Sequence, residues 1–180
     1  MTRIIPTLIL SANYTQRSSD LQPLWHFVLL SITTFGLYHI YWFYRNLRYL
    51  RVYNGLDISP IKRTVGLFIP ILSLLIVYNL IFDLRDFARD GGVNRLYEPG
   101  WIFLGYLVSL SLYTFLPDPY WILGLLATVV ALAIVQRTLN FYWEVKQPCL
   151  PRKTNYHFLG EIIVATVLAD LWFTIIEAIL

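Results

Sequence analysis

Thr166, Asp170, Thr174 and Glu177 recur through an otherwise apolar stretch near the C-terminus. Steps of four, four and three place them on one face of a helix. A carboxylate deep in an apolar helix is costly unless it is neutral, paired or wet. Asp170 therefore reads either as a proton, ion or substrate contact, or as a hydrogen bond to a neighbouring helix or subunit; the second is the commoner use and the preferred one. Glu161 falls on the opposite face, nearer a basic loop, and reads as interfacial. A second row, Asn79, Asp83, Asp86 and Asp90, also shares a face. It suits a metal or proton-linked site, or more simply a solvated helix end with Asp86 and Arg89 as an i,i+3 pair.

Other chemistry is sparse. His26 and His39 lie 13 positions apart on one apolar run, so they do not share a face, and His157 sits at the mouth of the last run. Pigment ligation by one of them is a minor reading. Ser31, Ser73, Ser109 and Ser111 lie in apolar runs without an evident base. The chain carries no P-loop, G-x-G-x-x-G, H-E-x-x-H or G-x-S-x-G. Cys149 is the only cysteine, which excludes an internal disulfide and a cysteine-based metal cluster. Neither a catalytic constellation, a cofactor nor a metal is expected.

The elements that must carry these residues are helices in lipid. The 180 residues are 57% hydrophobic and only 14% charged, against roughly 25% charged in soluble domains. Mean hydropathy is +0.58. A soluble fold of this size cannot cover so much apolar surface. The net charge of +3 is mild and sits beside apolar runs, which implies anionic phospholipid headgroups as partners rather than nucleic acid.

Five apolar segments stand out: Leu24 to Phe43, Val65 to Leu84, Trp101 to Leu116, Tyr120 to Val135, and Phe158 to Leu180. A span needs about 20 residues, so the first, second and fifth qualify. The third and fourth are short and joined by Pro117-Asp118-Pro119, a tight helical hairpin. On segment four, Gly124, Ala127 and Ala131 form a small-residue face that allows close helix approach. Residues 1–22 read as an N-terminal extension and 23–180 as one helical transmembrane domain. The start looks faintly like a secretion signal, but its apolar core is interrupted by Pro6 and no cleavage is expected.

Basic residues test the topology. Arg45, Arg48, Arg51, Lys62 and Arg63 crowd one loop, and Arg137, Lys146, Arg152 and Lys153 another; the hairpin tip has none. Both basic loops should be cytoplasmic, yet three crossings between them would separate them. One segment must fail to cross. Segment two, interrupted by Pro70, is the favoured re-entrant or interfacial element; alternatively segment one bends at Gly36, or five straight helices violate the rule in one loop. The expected fold is all-α, a polytopic membrane protein of four to five apolar helices.

The boundary of that fold is marked by Thr34-Phe-Gly-Leu-Tyr-His-Ile-Tyr-Trp-Phe-Tyr-Arg-Asn46. Tyr38, Tyr41, Trp42 and Tyr44 precede Arg45, Arg48 and Arg51, the order in which rings and cations meet the edge of a bilayer. These seven are candidate headgroup or interface residues. Gln136 and Asn140, at i and i+4, are candidate helix-packing amides, with headgroup contact the alternative. The Thr34–Asn46 run resembles a family of small bacterial integral-membrane proteins classed as a domain of unknown function, with a signature similar to T-x-G-[IL]-Y-x-x-Y-W-x-Y-[RK]. Gln136-Arg-Thr-Leu-Asn-Phe-Tyr-Trp143 is similar to a later Q-x-x-x-N-x-x-W element of that family. The resemblance implies a multi-helix membrane fold in a bacterial inner or internal membrane, and no particular activity.

The expected function is therefore non-enzymatic: a structural or accessory subunit packed against lipid and other membrane proteins. The alternatives are a small transporter, channel or lipid-handling protein using Asp170 and Glu177, and, third, a membrane enzyme acting on headgroups.

Overall fold

The computed structural model describes residues 19–151 and 155–179; within the last helix the side chains of 155, 156, 168, 172, 173 and 175–179 fall outside the description. The described residues form seven helices and no strand: α1 Leu24–Thr33, α2 Leu37–Asn54, α3 Pro60–Gly66, α4 Pro70–Asp90, α5 Pro99–Phe115, α6 Ile122–Lys146 and α7 Asn155–Ile179. The fold is all-α.

The first apolar run does not form one helix. It breaks at Thr34-Phe-Gly, where Phe35 (φ 49°) and Gly36 (φ 88°) both take the left-handed conformation. Glycine suits Gly36 because a Cβ there would be strained and would meet Leu125 Cδ1 at 3.3 Å. Thr34 closes both helices. Its hydroxyl donates to the Leu30 carbonyl at 2.6 Å and accepts from the Tyr38 N–H at 3.0 Å, satisfying groups that helix ends otherwise leave open. The chain therefore reverses, and α2 returns beside α1. Tyr38, His39 and Trp42 lie against Phe27, and further along Tyr49 reaches Asp20. Leu47 and Leu50, in the basic half of α2, are fully buried against the other helices.

The second apolar run is also broken. α3 ends at Gly66, and Leu67–Ile69 turn the chain into α4. Pro60 and Pro70 each occupy the first turn of their helices, where a missing N–H costs nothing. Arg63 meets Asp83 at 3.9 Å, and a Cβ on Gly66 would lie 2.7 Å from Ile76 Cδ1, so α4 also returns along its predecessor. The third reversal is the expected Pro117-Asp118-Pro119 hairpin. α5 and α6 form the most extensive helix contact. Gly124 makes it possible: a Cβ there would lie 2.5 Å from the Tyr113 backbone nitrogen. Helix α6 runs eleven residues beyond the expected Val135, to Lys146, for 25 residues, about 37 Å at 1.5 Å per residue.

Helix α6 is the spine. Leu125, Val129, Leu132, Val135, Leu139 and Trp143 belong to a core shared with Phe27 and Leu30 of α1, Trp42, Leu47 and Leu50 of α2, and Val77, Leu80, Ile81 and Leu84 of α4. Helix α7 packs on α1 through Phe158, Ile162, Ala165 and Ala169. Tyr97 holds the α4–α5 loop by donating to the Ile81 carbonyl at 2.6 Å, and burial pushes its hydroxyl pKa well up.

The reversals sort the charges. Among the described residues, every Lys and Arg lies toward one end of the helices: Arg45, Arg48 and Arg51 late in α2, Lys62 and Arg63 early in α3, Arg85 and Arg89 late in α4, Arg95 in the following loop, Arg137 and Lys146 late in α6. Contacts of Tyr49, Tyr53 and Phe87 with Trp143 tie α2, α4 and α6 together at that end. At the other end Phe35 meets Trp121, and none of the three turns carries a cation. On length and composition, one described helix, α6, is apolar enough to cross a membrane, with a mean hydropathy of 2.0 over its best window.

Candidate functional site

Polar side chains concentrate where the chain enters α1. Two amides on α6 clasp the segment Ser19–Gln22. Asn140 Nδ2 donates to the Gln22 carbonyl at 2.7 Å, and its Oδ1 accepts from the Gln22 N–H at 3.2 Å. At the residue that caps the end of α6, Gln147 Oε1 accepts from the Asp20 N–H at 2.9 Å, and its Nε2 donates to Asp20 Oδ2 at 3.1 Å. Tyr49 and Tyr53 of α2 also donate to that carboxylate.

Gln22 then joins the two sequence motifs. Its Oε1 accepts from Arg45 Nη2 at 2.5 Å. Its amide nitrogen donates to the Tyr38 hydroxyl at 2.7 Å and lies 3.1 Å from His26 Nδ1. With Nδ1 accepting, the ring proton sits on Nε2, which faces Glu161 Oε2 at 3.4 Å, a charge contact outside hydrogen-bond geometry. Gln136 Oε1 accepts from the Trp42 indole at 2.7 Å and from Arg45 at 3.3 Å, and its Nε2 donates to Asn140 at 2.8 Å. Arg45 thus donates to two neutral amides and lies over the Tyr49 ring. No described carboxylate stands within ion-pair distance of it.

The candidate interface residues therefore divide. Tyr38, Trp42 and Arg45 serve this network, and Trp42 is fully buried, out of reach of a headgroup. Tyr41, Arg48 and Arg51 are exposed and Tyr44 is half-buried. Gln136 and Asn140 act between elements, joining α6 to α2 and to Ser19–Gln22. Nothing in the sequence marks Gln22, Asp20 or Gln147 for this role; a polar residue before Pro23 gives no sign of where its amide will go.

The α7 stripe makes fewer connections. Thr166 donates to the Ile162 carbonyl and Thr174 to that of Asp170, each one turn back in its own helix. Asp170 is exposed, and the Glu177 side chain lies outside the described residues. The acidic row on α4 forms ion pairs: Asp83 with Arg63, Asp86 with Arg89 at 3.2 Å and with Arg85, Asp90 with Arg89. Burial raises the Asp83 carboxyl above its usual range, and Arg63 pulls the other way. No group of three potential ligands suited to a metal ion occurs among the described residues. His39 is buried, and its Nε2 has no hydrogen-bond partner among the described residues; it borders a cavity of about 280 Å³ with Tyr106, Tyr113 and Thr128.

Beside the network, α1, α2 and α7 enclose a lateral groove of about 730 Å³. Leu30, Leu37, Val164, Ala165 and Ala169 form its apolar length. Tyr38, Tyr41, His157 and Glu161 gather toward the charged end, since His26, beside Glu161, opens α1. The volume comes from the small residues of α7: Gly160, Ala165 and Ala169 face α1 and α2 where larger side chains would close the gap. A Cβ on Gly160 would meet nothing within 4 Å.

Comparison with protein-family models, with curated proteins and with solved structures finds no match.

Proposed function

We propose that this chain is a non-enzymatic membrane protein whose helical hairpins enter the bilayer from one side, and that it serves as a structural or accessory subunit. The observation that carries this reading is the sorting of charge by the three reversals. α1, α5, residues 70–82 of α4 and residues 122–136 of α6 hold no charged side chain, and the cations collect at one end. That distribution suits anionic headgroups on the cytoplasmic face. It also removes the conflict between the two basic loops, because α1–α2 and α3–α4 each leave and return on the same side. α1 is about 15 Å long at 1.5 Å per residue, half the roughly 30 Å hydrocarbon core, so the first hairpin is re-entrant.

Exposed apolar residues support embedding. Phe68, Ile71, Trp101, Phe115 and Val130 are each more than 60% exposed, and Leu104, Val108, Leu126, Ile163 and Val167 extend the belt. Large apolar side chains so numerous on the surface point to a covering of lipid or partner protein. The two short motifs, Thr34–Asn46 and Gln136–Trp143, that resemble a bacterial integral-membrane family are the basis for proposing an inner or internal membrane. The Gln22–Arg45–Gln136–Asn140 network is suited to holding hairpins in register and contains no nucleophile with an adjacent base. Extraction in mild detergent followed by native mass spectrometry tests the accessory role. The expected result is a complex larger than one chain with defined stoichiometry; a lone monomer at all detergent concentrations overturns it and leaves embedding intact.

A further inference from the structure

We propose that the groove between α1, α2 and α7 is a binding site for one phospholipid with a primary-amine headgroup, the phosphatidylethanolamine class. This rests on the membrane reading above and goes beyond it, from general contact with lipid to one built site. The groove is open along its side, apolar over most of its length and polar at the end where the chain meets the headgroup layer. An acyl chain lies in such a channel with its headgroup toward the polar end. Leu30, Leu37, Val164 and Ala169 line the acyl part.

The polar end has a charge pattern that selects among headgroups. Glu161 is the acidic residue of the lining and its side chain is 45% exposed. Arg45 follows Tyr41 by one turn of α2, on the face that carries Tyr38 and Tyr41. Among the described residues its guanidinium donates to the neutral amides of Gln22 and Gln136. Arg45 borders the lining through Gln22, whose amide accepts from Arg45 and donates to the hydroxyl of the lining residue Tyr38 at 2.7 Å. A headgroup with an ammonium at Glu161 and a phosphate at Arg45 complements this pair. An anionic headgroup without an amine offers the Glu161 carboxylate no ammonium donor.

A primary amine fits better than a quaternary one. Choline recognition uses open aromatic faces. Of the two tyrosines in the lining, Tyr41 is exposed, but Tyr38 is buried against Phe27 and Tyr41 with its hydroxyl held by Gln22, so the groove offers one open ring rather than a cage. A carboxylate can instead accept N–H hydrogen bonds, which an ethanolamine ammonium offers and a choline does not.

The test uses full-length protein, delipidated in detergent and equilibrated with vesicles of equal parts phosphatidylethanolamine, phosphatidylcholine and phosphatidylglycerol. Lipid retained per chain is then counted by native mass spectrometry. The expected result is one phosphatidylethanolamine per chain, enriched at least about fivefold over either competitor. Glu161→Gln should bring the enrichment close to one. Gly160→Leu, which projects a side chain into the open groove, should lower retention of all three lipids. Asp170→Asn, outside the groove, should leave the preference unchanged. Helix content by circular dichroism confirms that each variant is folded. Retention of the three lipids in vesicle proportion by folded wild-type protein overturns the proposal. So does a preference for phosphatidylglycerol or phosphatidylcholine, or an unchanged preference in Glu161→Gln. Alkaline carbonate extraction separates the two failures: protein that stays in the membrane without a lipid preference sinks only the groove, whereas protein that is released sinks the membrane reading itself.

Discussion

Replacing Gln136 by leucine tests whether the buried network holds the hairpins together. Gln136 is 1% exposed, and it takes hydrogen bonds from Trp42 and Arg45 while giving one to Asn140. Leucine is close in size, so the cavity term is small and the polar loss dominates. The Trp42 N–H is left buried without an acceptor, a cost of about 1–3 kcal/mol. Arg45 is half-buried and keeps Gln22, so solvent screening makes its loss minor. Asn140 keeps both bonds to Gln22. Inter-helix hydrogen bonds in membrane proteins average about 0.6 kcal/mol by double-mutant cycle, because the unfolded chain in a micelle also finds partners. We therefore expect Gln136→Leu to cost about 2 kcal/mol, and its coupling with Trp42→Phe to be about 1 kcal/mol. Gln136→Glu, which keeps an acceptor for both donors, should cost less than leucine. The assay is unfolding by sodium dodecyl sulfate in mixed micelles, followed by far-ultraviolet circular dichroism, which tolerates the loss of an indole. A cost below about 0.5 kcal/mol, or additivity of the two substitutions within about 0.3 kcal/mol, would show that the network does not bind α2 to α6.

Other outcomes follow from single positions. Gly36→Ala should destabilise by about 1–3 kcal/mol, because φ is 88° and Leu125 stands 3.3 Å from the new methyl group; an unchanged midpoint in the same unfolding assay would refute the strained reversal. Gly124→Val should part α5 from α6, since even a Cβ would lie 2.5 Å from the Tyr113 backbone; a disulfide engineered between Ser109 and Thr128, whose hydroxyls are 2.8 Å apart, should form in the parent background and fail with the valine. His39→Leu should raise stability by about 1 kcal/mol by removing a buried nitrogen that has no partner among the described residues; a loss of stability would mean that the imidazole has a partner. Tyr97 has a folded pKa above its unfolded value of about 10. Its contribution is fully present below pH 10 and lost as pH rises further, so Tyr97→Phe should flatten the alkaline fall in stability measured by chemical denaturation.

The reversals were partly legible in the sequence. Thr34-Phe-Gly has the composition of a helix stop followed by a restart, and Gly36 reads as a possible bend. Five aromatics after it resemble the end of a crossing helix strongly enough to hide the return. Pro70 reads as an interruption when segment two is taken as one helix; once Leu67–Ile69 turn the chain, it becomes a favourable first residue. The α5–α6 hairpin was legible because prolines, glycine and alanines each act locally. The extension of α6 was hidden, since Gln136 to Lys146 looks like a polar loop until the Gln22 segment supplies partners for its amides. Those partners are more than a hundred positions away, and no periodicity encodes them. Glu161 could be placed near the interface, but its position beside His26 depends on how α7 meets α1.

Site-directed labelling decides the central claim. With Cys149 replaced by serine, single cysteines at the exposed positions Asn54 and Asn94, and separately the native Cys149, report the side of the α2–α3 loop, the α4–α5 loop and the α6 end. Hairpins that enter from one side predict that all three are shielded from an impermeant maleimide in intact cells and react together after permeabilisation. Asn54 and Asn94 reacting from opposite sides would mean that residues 60–90 cross the bilayer once, and would contradict the account.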